Sequence, residues 1–248
     1  MFNSRGYGWP TGDSPHVAVS RCRAVSDAGG VGPSAGMIIV PSAPRTDVPE
    51  VAEAFVIATH IWDAVLGDSE RLQWPSTPLK SVGPLRFGMT QTQVRAAVDG
   101  TLLRVASQGY PDKESWADFC PVSLDGSVPP GIGPAVTVYY HGSAGLACVV
   151  IDARRGPQVT LDGLPLTGQV PSRLENEFTD YLESWGKELW YGGHDADPYS
   201  PELGLMLRAQ RVSDVVLSRP VLVGAQWADR FWDAWEGPIP QREWHTFR

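Results

Sequence analysis

Two segments of the chain begin a short helix in the same way, and strand-like sequence follows each of them. The first, 82–100, contains a T-x-x-Q capping box that starts at Thr90, and the second, 170–186, contains an S-x-x-E box that starts at Ser172. In such a box, two side chains satisfy backbone N–H groups that the first turn of a helix leaves free. An apolar stripe and a closing glycine follow both boxes. The sequence therefore predicts two related modules, each a helix followed by strands.

Strand-like segments follow both helices, and turn residues between them predict β-hairpins. One hairpin joins 135–140 to 146–152, and another joins 203–210 to 214–223. The Asp-Gly pair at 162–163 suits a type I′ turn between two further short strands. We expect each helix to bury its apolar stripe against a sheet face. The predicted fold class is α+β, with two helix-plus-antiparallel-hairpin modules that form one or two sheets.

The pattern divides the chain into three parts. Residues 1–45 are rich in Gly, Pro and Ser and are expected to be poorly ordered. Residues 46–169 hold a predicted N-terminal helix, 48–66, and the first module. Residues 170–248 hold the second module and end in a Trp-rich helix, where apolar residues recur at helical spacing: Ala228, Phe231, Trp232 and Trp235.

Charge, hydropathy and cysteine spacing narrow the function classes. The net charge is −8 and no basic run exceeds two residues, which argues against nucleic-acid binding. No stretch approaches the roughly 18 apolar residues that span a bilayer, and the N-terminus lacks the apolar core of a secretory signal. Cys22, Cys120 and Cys148 are widely spaced, which suits reduced thiols. We therefore expect a cytoplasmic protein that binds neither nucleic acid nor membrane.

The sequence contains few signs of catalysis. The G-x-S-x-G motif is absent, and no patterned histidine accompanies Cys120 or Cys148. The most site-like grouping is His194, Asp195 and Asp197, whose nitrogen and oxygen atoms could bind a divalent ion. A metal-dependent hydrolase is therefore the alternative function. The leading interpretation of these residues is a surface loop without metal, and we predict no cofactor.

Aromatic and acidic residues lie side by side in two regions and predict a protein-binding surface. Trp and Tyr supply contact area at interfaces, and carboxylates can meet Arg or Lys of a partner. The chain has ten Trp residues, four of them within its last 22 positions. The predicted partner-binding residues are Trp190, Tyr191, Asp195, Asp197, Tyr199, Trp227, Asp229 and Asp233.

The segment VGPLRFGMTQTQVRAAV, 82–98, resembles a Gly-Pro…Phe-Gly-Met-Ser/Thr…Val signature of small bacterial α+β proteins, among them immunity proteins of polymorphic-toxin systems. The repeated helix-and-hairpin order also resembles the tandem architecture of the β-lactamase inhibitory proteins, which are secreted and disulfide-bonded, whereas we expect neither feature here. The resemblance implies an immunity protein that occludes the active site of a toxin or effector enzyme. Its implied partner is a basic toxin or effector domain, and the chain itself is expected to be a monomer or a weak homo-oligomer. A third hypothesis is a scaffold subunit packed through its Trp-rich end.

Overall fold

The computed structural model describes residues 65–109, 114–122, 133–192, 196–233 and 236–245. All of them belong to the unit formed by 48–248. The predicted poorly ordered segment, 1–45, lies outside the described residues. So does the predicted helix 48–66, apart from its last two residues, which have irregular backbone.

The described residues form thirteen strands and three α-helices. The strands are β1 (Gln73–Thr77), β2 (Ser81–Val82), β3 (Leu85–Arg86), β4 (Leu102–Gly109), β5 (Glu114–Pro121), β6 (Val136–His141), β7 (Leu146–Ile151), β8 (Gln158–Leu161), β9 (Leu164–Pro165), β10 (Trp190–Gly192), β11 (Asp197–Ser200), β12 (Leu205–Val212) and β13 (Val215–Val223). The helices are α1 (Gln91–Ala97), α2 (Pro171–Ser184) and α3 (Gln241–His245).

The strands form two sheets. The larger has eight antiparallel strands in the order β10-β11-β12-β13-β7-β6-β5-β4. The smaller has five strands in the order β3-β2-β1-β8-β9, in which β1 and β8 are parallel. The large sheet is therefore the frame on which the other elements pack.

The predicted α+β class is wrong, because the described residues are mostly β-structure. Strands from both predicted modules belong to the same large sheet: β7 from the first pairs with β13 from the second, with Val150 opposite Val221. A local pattern identifies a strand by its alternation and turns, but it does not record which distant strand lies beside it.

The central strands are buried on both faces of the large sheet. One face packs against α1, α2 and the small sheet, with side chains such as Val94, Phe178 and Trp74 in a single cluster. The other face packs against the C-terminal segment, which contributes Phe231 and Trp244. This double coverage explains why β7 is apolar at every position and buried along its whole length.

Several local predictions are confirmed. The capping box of α1 forms as expected: the Gln93 backbone N–H donates to Thr90 Oγ1 at 3.3 Å, and the Thr90 N–H donates to Gln93 Oε1 at 2.9 Å. Both predicted hairpins exist, β6–β7 and β12–β13. Asp162 and Gly163 have φ of 48° and 92°, the positive values that a type I′ turn needs.

The start of α2 differs from the predicted S-x-x-E box. The N-cap residue is Val170, it makes no side-chain capping bond, and Pro171 occupies the first turn. Proline suits this position because its missing N–H would have no partner there and its φ is already helical. The Glu175 carboxylate instead accepts a hydrogen bond from Tyr191.

The predicted Trp-rich helix near the C-terminus is also wrong. Ala225–Trp227 is a 3₁₀ turn, and further i→i+3 hydrogen bonds follow from Arg230 N to Trp227 O and from Asp233 N to Arg230 O. Successive tight turns bring residues three apart onto one side, so they produce part of the apolar spacing that an α-helix would. The pattern could not separate the two conformations.

Candidate interaction site

The edge strand β10 positions the candidate site. It contains only Trp190–Gly192, and among the described strands it pairs with β11 alone. Trp190 lies opposite Tyr199 in this pairing. Because successive side chains alternate between the two faces of a strand, Trp190 and Tyr191 lie on opposite sides of this edge.

Four large aromatic side chains are exposed in β10, beside Gly192 and five residues before β10 in the chain. The exposed fractions are 50% for Trp190, 55% for Tyr191, 64% for Trp185 and 40% for Trp232. Trp185 is the C-cap residue of α2, shortly before β10 in the chain. We call these four residues the aromatic edge. Exposed aromatic side chains of this size are often found at interaction sites.

Hydrogen bonds to neighbouring groups hold two members of the aromatic edge. The Tyr191 hydroxyl donates to Glu175 Oε1 of α2 at 2.7 Å, and this bond to a carboxylate raises the pKa of Tyr191. The indole N–H of Trp232 donates to the backbone carbonyl of Asp229 at 3.2 Å. Both side chains are thus held in one orientation by these hydrogen bonds.

Gly192 allows β10 to approach the rings beside it. A Cβ atom at this position would lie 2.7 Å from Cε1 of Tyr199 and 3.2 Å from Cβ of Trp232. The first distance is shorter than van der Waals contact allows, so a residue without a side chain is required here. The glycine therefore sets how closely Trp232 lies against the edge strand.

The sequence around the aromatic edge is acidic. Between 171 and 192 there are five acidic residues and two basic ones. Both basic side chains face a carboxylate: Arg173 Nε lies 3.6 Å from Glu177 Oε1, and Lys187 Nζ lies 3.6 Å from Glu202 Oε1. This part of the chain therefore carries more negative than positive charge.

A groove of about 390 Å³ opens between the C-terminal end of α2 and the start of β10. Leu182 and Leu189 supply apolar lining, and Trp190 lies in the same wall. Glu183 and Glu188 contribute exposed side chains to it. The aromatic edge thus borders a recess that combines apolar and acidic groups.

The predicted partner-binding residues divide between the surface and the interior. Trp190 and Tyr191 belong to the aromatic edge, and Asp229 is exposed. Asp233 is half-buried, and its carboxylate accepts a hydrogen bond from the backbone N–H of Glu236 at 3.2 Å.

Three other predicted residues, Asp197, Tyr199 and Trp227, are buried. Tyr199 packs edge-on against Phe231 with ring centroids 5.5 Å apart, and Trp227 packs against His141 at 4.5 Å. They lie inside the fold because the C-terminal segment covers this face of the large sheet. They support the surface and do not form it.

The predicted metal grouping is represented in the described residues by Asp197 alone, because His194 and Asp195 lie outside them. Asp197 Oδ2 accepts a hydrogen bond from Nε of the buried Arg208 at 3.0 Å. In the part of the chain that the structure describes, no group of three or more His, Cys, Asp or Glu side chains could hold a metal ion. The Asp197 carboxylate is therefore part of a buried ion pair.

A second buried ion pair fastens the C-terminal segment to the sheet. Arg219 Nη1 donates to Glu243 Oε2 at 2.7 Å, and the Tyr139 hydroxyl also donates to the Glu243 carboxylate. Arg208 Nη1 donates to the Glu243 carbonyl at 2.6 Å, and its guanidinium lies 4.9 Å from the Trp244 ring centroid. Charged groups that are buried and hydrogen-bonded in this way hold one geometry.

Sequence reasoning missed part of the site. The helical pattern puts Trp185 and Trp232 on buried stripes, yet both are exposed. Trp185 caps α2 just before Gly186, where the stripe leaves the core, and this position beside a closing glycine is the signal that could have identified it. The sequence around Glu183 and Glu188 does not indicate that they line a groove, because the groove forms only when β10 folds back beside α2.

No family model, curated protein or solved structure matches the chain. None of the helices in the described part has the length and hydrophobicity required to cross a membrane.

Proposed function

We propose that this protein binds another protein through the aromatic edge, and that it is a cytoplasmic immunity protein that inhibits a toxin or effector enzyme. The observation that carries the proposal is the exposure of Trp190 and Tyr191 on the two sides of one edge strand. Tryptophan and tyrosine are often the residues that contribute most of the binding free energy at protein interfaces. The resemblance at 82–98 supports the immunity class.

Inhibition by occlusion requires anchors and an attractive charge, and both are available beside β10. Indole and phenol rings can fill apolar pockets next to an active site and exclude water from it. The net charge of −8 attracts a basic domain and increases the rate of encounter. The Tyr191–Glu175 hydrogen bond restricts one anchor in advance, which lowers the entropy lost on binding.

The test is a titration of enzyme activity. The purified full chain is added to the toxin or effector domain encoded beside it in its genome, and the catalytic rate of that domain is measured. We expect inhibition that saturates at one chain per domain. The double variant Trp190→Ala/Tyr191→Ala should weaken inhibition by about 100-fold or more, because central aromatic anchors each contribute about 2 kcal/mol to binding.

The matched control changes the opposite edge strand of the same sheet. Leu103 and Val105 of β4 are also exposed apolar residues, and the variant Leu103→Ala/Val105→Ala should inhibit like the unmodified chain. An enzyme that stays fully active with the chain bound would contradict occlusion. Loss of inhibition in the β4 variant alone would place the interface elsewhere.

A further inference from the structure

We infer that a pocket between the large sheet and the C-terminal segment binds a small organic cation, in which a short chain joins an aromatic ring to an ammonium group. The volume of the pocket is about 240 Å³, and its lining includes Gln108, Glu114, Trp116, Tyr139, His141 and Pro238. The strand residues among them belong to β4, β5 and β6, whereas β10 forms the other edge of the sheet. The inference therefore concerns a second site and does not depend on the proposed function.

The register of three neighbouring strands brings the lining side chains to one face of the sheet. In the pairing of β5 with β6, Trp116 lies opposite Tyr139 and Glu114 lies opposite His141. Gln108 of β4 lies opposite Trp116 on its other side. Tyr139 belongs to the core beneath the C-terminal segment, and Trp116 packs against that core. Because paired residues and alternate residues of a strand share a face, all five side chains lie on the face that the C-terminal segment covers.

The loop 237–240 forms the opposite wall of the pocket. Two of its four residues are prolines, whose rings fix the backbone φ. Ile239 between them is buried, and its carbonyl accepts a hydrogen bond from the indole N–H of Trp244 at 3.2 Å. A Cβ atom on Gly237 would lie 2.7 Å from the Arg230 carbonyl oxygen, so the loop packs too closely for a side chain there. These contacts hold the wall in one conformation.

The pocket is apolar at its base and polar at its mouth. Tyr139 and Pro238 are buried. The side chains of Glu114 and His141 are 77% and 44% exposed, and Glu114 Oε1 lies 3.8 Å from His141 Nε2. Gln108 is also exposed. A ligand with an apolar body and one polar end can therefore place the body against the rings and the polar end at the mouth.

The mouth of the pocket favours a positive charge. Among the described residues that line the pocket, Glu114 is the only Asp, Glu, Lys or Arg. An ionised carboxylate only accepts hydrogen bonds, and an ammonium group supplies three donors. The face of a tryptophan ring also attracts a cation, and Trp116 is two residues from Glu114 on the same side of β5. The polar end of the ligand is therefore a cation.

The volume of the pocket limits the size of the ligand. An apolar cavity of about 150 Å³ can hold one benzene ring. The pocket, at about 240 Å³, has room for such a ring and a short chain that reaches the mouth. Phenethylammonium combines these parts. The same group occurs in free arylalkylamines and at the N-terminus of a peptide that begins with phenylalanine, so the probes must distinguish these two sources.

The experiment uses the full chain and matched pairs of probes. Phenethylamine and 2-phenylethanol are titrated at neutral pH into nitrogen-15-labelled protein, and the Trp116 indole resonance, assigned with Trp116→Phe, reports binding. The alcohol keeps the ring and the chain but removes the charge. We expect phenethylamine to bind about tenfold more tightly, because the alcohol lacks both the carboxylate contact and the attraction of a cation to the indole.

A second pair of probes identifies the source of the ligand. Phenylalanyl-glycinamide presents the same ammonium and ring at a peptide N-terminus, and its desamino analogue lacks the charge. A charge-dependent affinity for this dipeptide that equals or exceeds the affinity for phenethylamine assigns the pocket to a peptide N-terminus. A charge-dependent affinity for phenethylamine alone assigns it to a free amine. Both results support the organic-cation site.

Variants decide whether the pocket is responsible. Glu114→Gln should reduce the affinity for phenethylamine about threefold and leave that for 2-phenylethanol unchanged. Glu177→Gln removes the same charge from α2, where Glu177 pairs with Arg173, and should change neither affinity. Circular dichroism establishes that each variant is folded. Equal affinities of the unmodified chain for the amine and the alcohol would overturn the inference, as would equal effects of the two variants.

Discussion

Tyr139 and Tyr140 are neighbours in β6, but their hydroxyl groups have opposite surroundings. The Tyr139 hydroxyl donates to the Glu243 carboxylate in the core beneath the C-terminal segment. Tyr140 lies in the core on the other face of the sheet, and among the described residues its buried hydroxyl has no hydrogen-bond partner. A buried polar group without a partner costs free energy that the matching apolar residue would not.

We therefore expect substitutions of the two tyrosines to have opposite signs. Tyr140→Phe should raise the free energy of unfolding by about 1 kcal/mol, because it removes an unsatisfied hydroxyl. Tyr139→Phe should lower it by about 2 kcal/mol, because it removes a hydrogen bond to a charged group. Urea denaturation at neutral pH measures both, and a destabilised Tyr140→Phe would contradict the assignment.

Alkaline pH provides a second readout for Tyr140. Burial raises the pKa of its hydroxyl above the ordinary value of about 10. Below about pH 10 the folded and unfolded chains both keep this proton; above it the unfolded chain loses the proton first, so the free energy of unfolding falls. Tyr140→Phe lacks this loss, and its advantage should widen between about pH 10 and 11. An advantage that stays constant would show that Tyr140 does not titrate abnormally.

At the scale of single residues, the sequence shows where aromatic and acidic residues lie together. It does not show which of these side chains are exposed. Trp190 and Tyr191 are on the surface, in keeping with their acidic surroundings. Trp227 and Trp232 are five positions apart. The helical pattern predicts that Trp232 is buried. In the structure Trp227 is buried and Trp232 is exposed. Tight turns in this segment decide which indole faces inward, and their apolar spacing resembles that of a helix.

At the scale of elements, the contact between β10 and its neighbours determines the site. Gly192→Ala places a Cβ atom 2.7 Å from the buried Tyr199 ring and should lower the free energy of unfolding by about 1–3 kcal/mol. It should also displace Trp232 and weaken inhibition of the partner. Thermal unfolding and the enzyme titration measure these effects.

Gly133→Ala is the matched control for this substitution. A Cβ atom there would meet no atom of the described residues within 4 Å, and no positive φ is found at this glycine. We expect its stability to change by no more than about 0.5 kcal/mol. Equal effects of the two substitutions on stability would mean that close packing is not the reason for a glycine at position 192.

An element could be predicted from the sequence when the residues that specify it are close together in the chain. The Thr90 capping box and the 162–163 turn depend on neighbouring residues, and both are as the sequence indicates. The pairing of β7 with β13 and the use of Glu175 by Tyr191 depend on residues far away in the chain. Local patterns contain no information about these contacts, so the single large sheet and the groove could not be anticipated.

At the scale of the whole molecule, the eight-stranded sheet has two very different edges. β4 is eight residues long, and β10 has three residues with exposed aromatic rings on both sides. Helices, the small sheet and the C-terminal segment cover the sheet faces between them. The edges are therefore the places where the sheet can meet another molecule, and they offer two competing sites.

Amide hydrogen exchange of the free chain and of the chain saturated with the proposed enzyme partner separates these two sites most directly. If the aromatic edge is the interface, exchange should slow across 183–192 and around 229–232, with β4 unchanged. Slower exchange confined to β4, or a stable complex with no change across 183–192, would contradict the account.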